Sequence, residues 1–259
     1  MTPDAIEVRK SAINPTGCIS DAWESIKEDY WFYFGVAIVF GLITMAVGMI
    51  PVIGIFAGPA VTGPLMAGVY SIFLAKADGE KKEFGDMFDG FKKFGPNLVV
   101  GIILSIPGIL LAIYQLYSVA TDLAIIMNPD AGGIADRPAF PPVLIGLYLF
   151  MVLFGLTAGL LLYFSYFLIM EHDLGAVDAM KLSAKGALGN IGGLIVLIIL
   201  SGLLMFAGAL ACLVGILFVI PVIYLATANA YRSVYPEARS VQQLHVPPSP
   251  DQYGFGQDG

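Results

Sequence analysis

GALGNIGGLIVLIILSGLLMFAGALACLVGILFVIPVIYLATANAY, residues 186–231, runs for 46 positions without an Asp, Glu, Lys or Arg. A bilayer core about 30 Å thick is crossed by about 20 helical residues, so this stretch holds two spans with a tight turn between them. Gly208-Ala-Leu-Ala is the expected turn, dividing spans near 191–207 and 212–232. Apolar runs this long and uniform exclude a β-barrel, whose short strands alternate in polarity. An open sheet would leave backbone groups unsatisfied in lipid. The chain therefore reads as an all-α polytopic membrane protein.

Three further charge-free stretches complete the count. Residues 30–75 span 46 positions, 94–121 span 28, and 138–170 span 33. The first divides at Pro51-Val-Ile-Gly54 into two spans, and the others hold one each. Six transmembrane helices result. The whole chain agrees: of 259 residues 58% are hydrophobic and 13% charged, with a mean hydropathy of +0.82. Soluble domains carry about 25% charge. A formal net charge of −7 argues against nucleic acid as a partner, which requires a basic face.

Lysine and arginine placement sets an expected orientation. Twelve of the thirteen lie before span one, between two and three, between four and five, or after six; only Arg137 lies on the opposite side. The positive-inside rule then makes both termini cytoplasmic. The organisation expected is a cytoplasmic segment over 1–16, a membrane domain over 17–233 and a disordered cytoplasmic tail over 234–259. Residues 1–29 lack the apolar core of a cleavable signal, so span one is read as an uncleaved anchor. Cys18 and Cys212 lie far apart on this topology and are expected to be unpaired.

A short unit precedes spans one, three and five. Asp21-Ala-Trp-Glu-Ser-Ile-Lys27, Asp86-Met-Phe-Asp-Gly-Phe-Lys92-Lys93 and Asp178-Ala-Met-Lys-Leu-Ser-Ala-Lys185 each open on Asp and place Lys six or seven residues later. Asp caps helix N-termini and lysines suit the last turn. The units predict three short cytoplasmic-side interfacial helices, capped by these aspartates. Trp23, Phe88, Phe91 and Met180 would lie toward the bilayer, with Lys27, Lys92, Lys93, Lys181 and Lys185 toward lipid headgroups. Helix plus two spans, repeated over about 14–76, 80–170 and 173–233, gives three pseudo-repeats related by an axis along the membrane normal.

These residues resemble a broad bacterial family of six-span membrane proteins of unknown function, related to the membrane domain of some glycerophosphodiester phosphodiesterases. The likeness rests on Ala22-Trp-Glu-Ser-Ile-Lys27, on Gly58-Pro59 to Gly68, and on Asp173-Leu-Gly-Ala-Val-Asp-Ala-Met-Lys-Leu-Ser183 with Gly189-Asn190. It covers about residues 17–233, and too little chain lies outside the membrane for a phosphodiesterase domain. The resemblance implies a fold and an address, the bacterial cytoplasmic (inner) membrane, but no catalysis.

Few residues offer chemistry. The six spans hold no charged side chain, which argues against proton-coupled transport and pumping. Glu171-His172-Asp173 is the densest titratable cluster, but adjacent residues of one helix cannot all face one ion. Ser183 and Ser165 lack a histidine partner at any motif spacing, so no catalytic residue, metal or cofactor is expected. Gly54/Gly58, Gly155/Gly159 and Gly189/Gly193 are GxxxG pairs expected to pack helices closely. Pro247-Pro-Ser-Pro250 in the tail is a candidate docking motif for a protein partner. The leading expectation is a non-catalytic scaffold, assembly or lipid-organising component whose partners are membrane lipids. The alternative is a channel or transporter for a small or lipidic solute.

Overall fold

A computed structural model describes residues 6–50, 53–127, 142–210 and 214–236. These residues are helical, with no strand among them. The order is α1 (Pro15–Ile26), α2 (Tyr30–Gly48), α3 (Ile53–Ala77), a 3-10 segment (Phe84–Lys93), α4 (Phe94–Met127), α5 (Pro142–Leu161), α6 (Ser165–His172), α7 (Ala176–Gly189), α8 (Ile191–Leu210) and α9 (Val214–Val234). Six helical stretches among them are long and apolar enough to cross a membrane. The chain is a multi-pass membrane protein by that measure.

Short helices stand at all three predicted places: α1, the 3-10 segment and α7. Their caps differ from expectation. Asn14 caps α1, its side chain accepting from the Gly17 N–H at 3.2 Å, and Pro15 follows in the first turn. Asp21 therefore lies mid-helix. Asp86 and Asp178 occupy the third helical position rather than the cap; Asp86 accepts from the Glu83 N–H at 2.8 Å in a capping box. Asn14-Pro15 precedes the quoted unit, and its asparagine reaches a first-turn N–H before any aspartate can.

The last two spans keep their predicted start at Ile191, but α8 runs helically through the expected turn to Leu210. Gly208 is not a breaker here: a Cβ on it would meet the Gly215 backbone of α9 at 2.8 Å. The residue serves close approach instead.

Span four is the larger departure. Its apolar run reads as one helix, yet α5 ends at Leu161 and α6 begins at Ser165. The break is repaired from outside: Ser183 Oγ of α7 accepts from the Phe164 N–H at 3.1 Å and donates to the Leu161 carbonyl at 2.8 Å. Non-helical backbone at membrane depth survives only where neighbouring protein satisfies it.

The core lies among α3, α6 and α9, the closing parts of the three even-numbered spans. Tyr70 stacks on Phe167 at 4.6 Å, Phe167 on Tyr231 at 4.9 Å, and Tyr224 meets Tyr70 and Phe73 edge-on at 5.6 and 5.4 Å. These rings fill the centre. By contrast α5 and the outer part of α4 present apolar side chains outward almost all round, as lipid-facing helices do. The 3-10 segment is locked onto α3 by backbone proximity. A Cβ at Gly68 would collide with the Met87 carbonyl, and one at Gly90 with the Pro64 carbonyl.

Residues before α1 join the bundle too. Arg9 N–H donates to the Val234 carbonyl at 2.9 Å, and Ser11 N–H to the Gly189 carbonyl at 3.0 Å. Asn190 closes this strap, accepting from Ala12 N–H at 2.7 Å and donating to the Arg9 carbonyl at 2.7 Å. At the other end Tyr235 is buried, its hydroxyl donating to the Leu182 carbonyl at 2.8 Å. The docking motif at 247–250, Arg137 and Cys212 lie outside the described residues.

Candidate functional site

Charge gathers where the even-numbered spans end. Arg232, in the last turn of α9, forks onto Asp78 just past α3, with Nε–Oδ1 and Nη2–Oδ2 distances of 2.5 and 2.6 Å. Its Nη1 reaches Glu171 Oε1 of α6 at 2.5 Å. The Tyr231 hydroxyl donates to Glu171 Oε2 at 2.5 Å, and His172 Nε2 lies 3.4 Å from the same oxygen. All three charged side chains are largely shielded from solvent. A polar pocket of about 200 Å³ adjoins them, lined also by Ser71, Glu80, Lys82 and Met170.

Each of these charges stands eight residues after a tyrosine: Tyr70/Asp78, Tyr163/Glu171 and Tyr224/Arg232. That spacing is the sequence signal that could have located the cluster. The Asp-to-Lys units precede the odd-numbered spans and do not include these residues. Glu171, His172 and Asp173 also separate: Glu171 turns to α9, while Asp173, left-handed at φ 56°, meets Lys93 at 3.0 Å.

A second feature is apolar. A groove of about 440 Å³ runs between α1, α2, α8 and α9, lined by Ile19, Trp23, Tyr30, Trp31, Leu204 and Phe218 with two valines. Among the described residues no charged side chain lines it. Tyr30 shapes one wall, stacked on Phe218 at 6.1 Å, and its hydroxyl donates to the Phe218 carbonyl at 2.7 Å. That carbonyl lies next to Leu217, whose own carbonyl lacks its helical donor because Pro221 has no N–H.

The residues singled out from sequence fall in several places. Trp23 lines the groove, and Lys27 pairs with Glu24. Phe88, Phe91 and Phe94 form an outward ladder with centroids 6.5 and 6.4 Å apart, while Met87 is the side chain buried beneath the 3-10 segment. Lys92 pairs with Asp89 at 2.7 Å. Lys93 turns inward and caps α6, donating to the Ile169 and Met170 carbonyls at 3.0 Å each. Met180 packs partly on the core, and Lys181 and Lys185 are exposed.

Among the glycines, a Cβ on Gly54 would meet the Val47 carbonyl, one on Gly189 the Lys10 side chain, and one on Gly193 Ile13. Gly58, Gly155 and Gly159 face open space. Burial pushes the Cys18 thiol above its ordinary pKa.

Comparison with protein-family models, with curated proteins and with solved structures found no match to this chain.

Proposed function

We propose that the chain is a non-catalytic, lipid-organising component of the bacterial cytoplasmic membrane, with both termini on the cytoplasmic side. The observation that carries this reading is the charge-free groove of about 440 Å³, walled by Trp23, Tyr30, Trp31 and Phe218. Aromatic side chains of this kind favour the membrane–water interface, where an acyl chain meets its headgroup. The ring-filled centre between α3, α6 and α9 supports the reading, since it leaves lipid the perimeter rather than a path through the middle. On this reading α1, the 3-10 segment and α7 are interfacial helices of three pseudo-repeats, the tail recruits a protein partner, and the kinship is with phosphodiesterase-associated membrane domains.

One observation favours the alternative, a channel or transporter. A cleft of about 320 Å³ between α3 and α4 is lined by Thr62, Ser105, Gly54, Gly58 and Pro59, so polar groups do face a space at membrane depth.

Two measurements separate them. Mass spectrometry of the protein extracted from native membranes should find retained phospholipid, with less in a Leu204→Trp variant that fills the groove. Proteoliposomes should release no more entrapped solute than protein-free liposomes. Solute release above that background, with lipid retention unchanged in the variant, supports transport and refutes lipid organisation.

A further inference from the structure

Asp29, just before span one, is approached by Lys76 from the last turn of α3 and by Lys81 from beyond it. Lys76 Nζ lies 3.2 Å from its Oδ2 and Lys81 Nζ 3.9 Å from the same atom. Lys76 is the better partner: its side chain is mostly buried and sits over the Tyr33 ring at 5.6 Å from the centroid. Lys81 is 85% exposed, so Asp29 neutralises it poorly. Lys82 completes the group, its ammonium held by the Ser71 hydroxyl at 3.1 Å rather than by a carboxylate. Asp78 is occupied by Arg232, and Glu80 lines the neighbouring polar pocket. Asp29 thus serves Lys76 and Lys81, while Lys82 is held by a neutral hydroxyl.

The cleft they border holds about 180 Å³ and is lined by Asp29, Phe32, Tyr33, Lys81 and Lys82. Its composition is split. Two lysines and one carboxylate line it together with two aromatic residues from the first turn of α2. Span one begins at Tyr30 and span two ends at Ala77, so the cleft lies at the edge of the apolar layer. Asp29 makes no side-chain cap to α2, and the positive end of that helix adds to the field.

We propose that this cleft binds the phosphate of an anionic phospholipid, Lys81 and Lys82 holding the phosphate while Phe32 and Tyr33 take the start of its acyl chains. Basic pockets between membrane helices recognise such headgroups by charge and by depth together. A lipid is favoured over free phosphate because two of the five lining residues are the aromatic side chains Phe32 and Tyr33, from the first turn of span one. The assignment rests on the membrane reading above but uses a site separate from the α1–α8 groove.

The full chain, purified in a neutral maltoside detergent, is titrated with phosphatidylglycerol, phosphatidylcholine or inorganic phosphate, following the thermal midpoint and native mass spectra. Phosphatidylglycerol is expected to bind saturably and raise the midpoint, and the other two to do neither. The double variant Lys81→Gln/Lys82→Gln should bind about thirtyfold more weakly. Asp29 makes no side-chain cap to α2, so Asp29→Asn removes the competing carboxylate without breaking a cap; it should bind more tightly, a gain that misfolding cannot imitate.

Equal binding of phosphatidylcholine overturns headgroup recognition. Equal binding of inorganic phosphate overturns the lipid as ligand. Unchanged binding in the double variant, or no gain in Asp29→Asn, overturns the site. Loss of retained lipid in Leu204→Trp with phosphatidylglycerol affinity intact concerns the groove alone, so the two readings fail separately.

Discussion

Ser183 gives a buried hydroxyl a structural task. It carries both halves of the hydrogen bonding that the α5–α6 break forfeits, one as acceptor and one as donor. Ser183→Ala leaves a buried N–H and a buried carbonyl without that partner, and a group so stranded costs about 1–3 kcal/mol. The variant should lower the thermal midpoint in detergent and raise amide exchange around 161–165; an unchanged exchange pattern would show that the break is self-supporting. Cys18 is a second test at this scale. Its thiol is buried and its pKa raised chiefly by desolvation. The thiolate is the nucleophile, so in a Cys212→Ser background maleimide should label the folded protein slowly near pH 7. Labelling should quicken as pH rises and become fast on unfolding. A folded pKa above the unfolded one also means that this group's contribution to stability is present at low pH and fades as pH climbs through the thiol range.

Among the elements, the 3-10 segment was expected from sequence, but its tight seat on α3 was not. The alternation of Phe84, Met87, Phe88, Phe91 and Phe94 makes an amphipathic stretch visible, but not which side chain goes under. Met87 does, fully buried, while Phe88 stays half exposed. Met87→Ala should therefore cost about 2–5 kcal/mol, whereas Phe88→Ser should change detergent stability little; comparable losses would mean that the segment does not dock on α3 as described. The reason for the tight fit, Gly68 and Gly90 each facing a carbonyl, could not be read from either glycine alone. Close approach is a property of a pair, and these two lie 22 positions apart. Helix existence was legible because charge-free length is local. The break in span four was not, because the serine that repairs it belongs to another helix.

For the molecule as a whole, the Arg232 cluster ties together the ends of all three inner spans. Removing one member of a shielded ion group leaves the others uncompensated and costs about 3–5 kcal/mol. Arg232→Met should accordingly be strongly destabilised, and adding Asp78→Leu and Glu171→Leu should recover much of the loss; failure of the triple variant to recover would mean that Arg232 acts through something other than these carboxylates. Six spans were legible from composition, yet this junction was not. Its members sit one or three residues beyond charge-free runs, where they look like ordinary span ends, and only folding brings them to one point. Orientation has its own test. A cysteine at Glu80 in a chain otherwise free of cysteine should be labelled from the cytoplasmic face alone, and labelling from outside would invert the topology.

The strap formed by residues 9–12 has a consequence for biosynthesis. Its acceptors are Gly189, Asn190 and Val234, the last of which leaves the ribosome more than two hundred residues after Arg9. The strap therefore cannot dock fully until α9 has been made and has joined the bundle. A protease site inserted between Lys10 and Ala12 should be cut readily in nascent chains stopped before residue 234 and should become resistant in the finished protein. The strap would then report when α9 has taken its place.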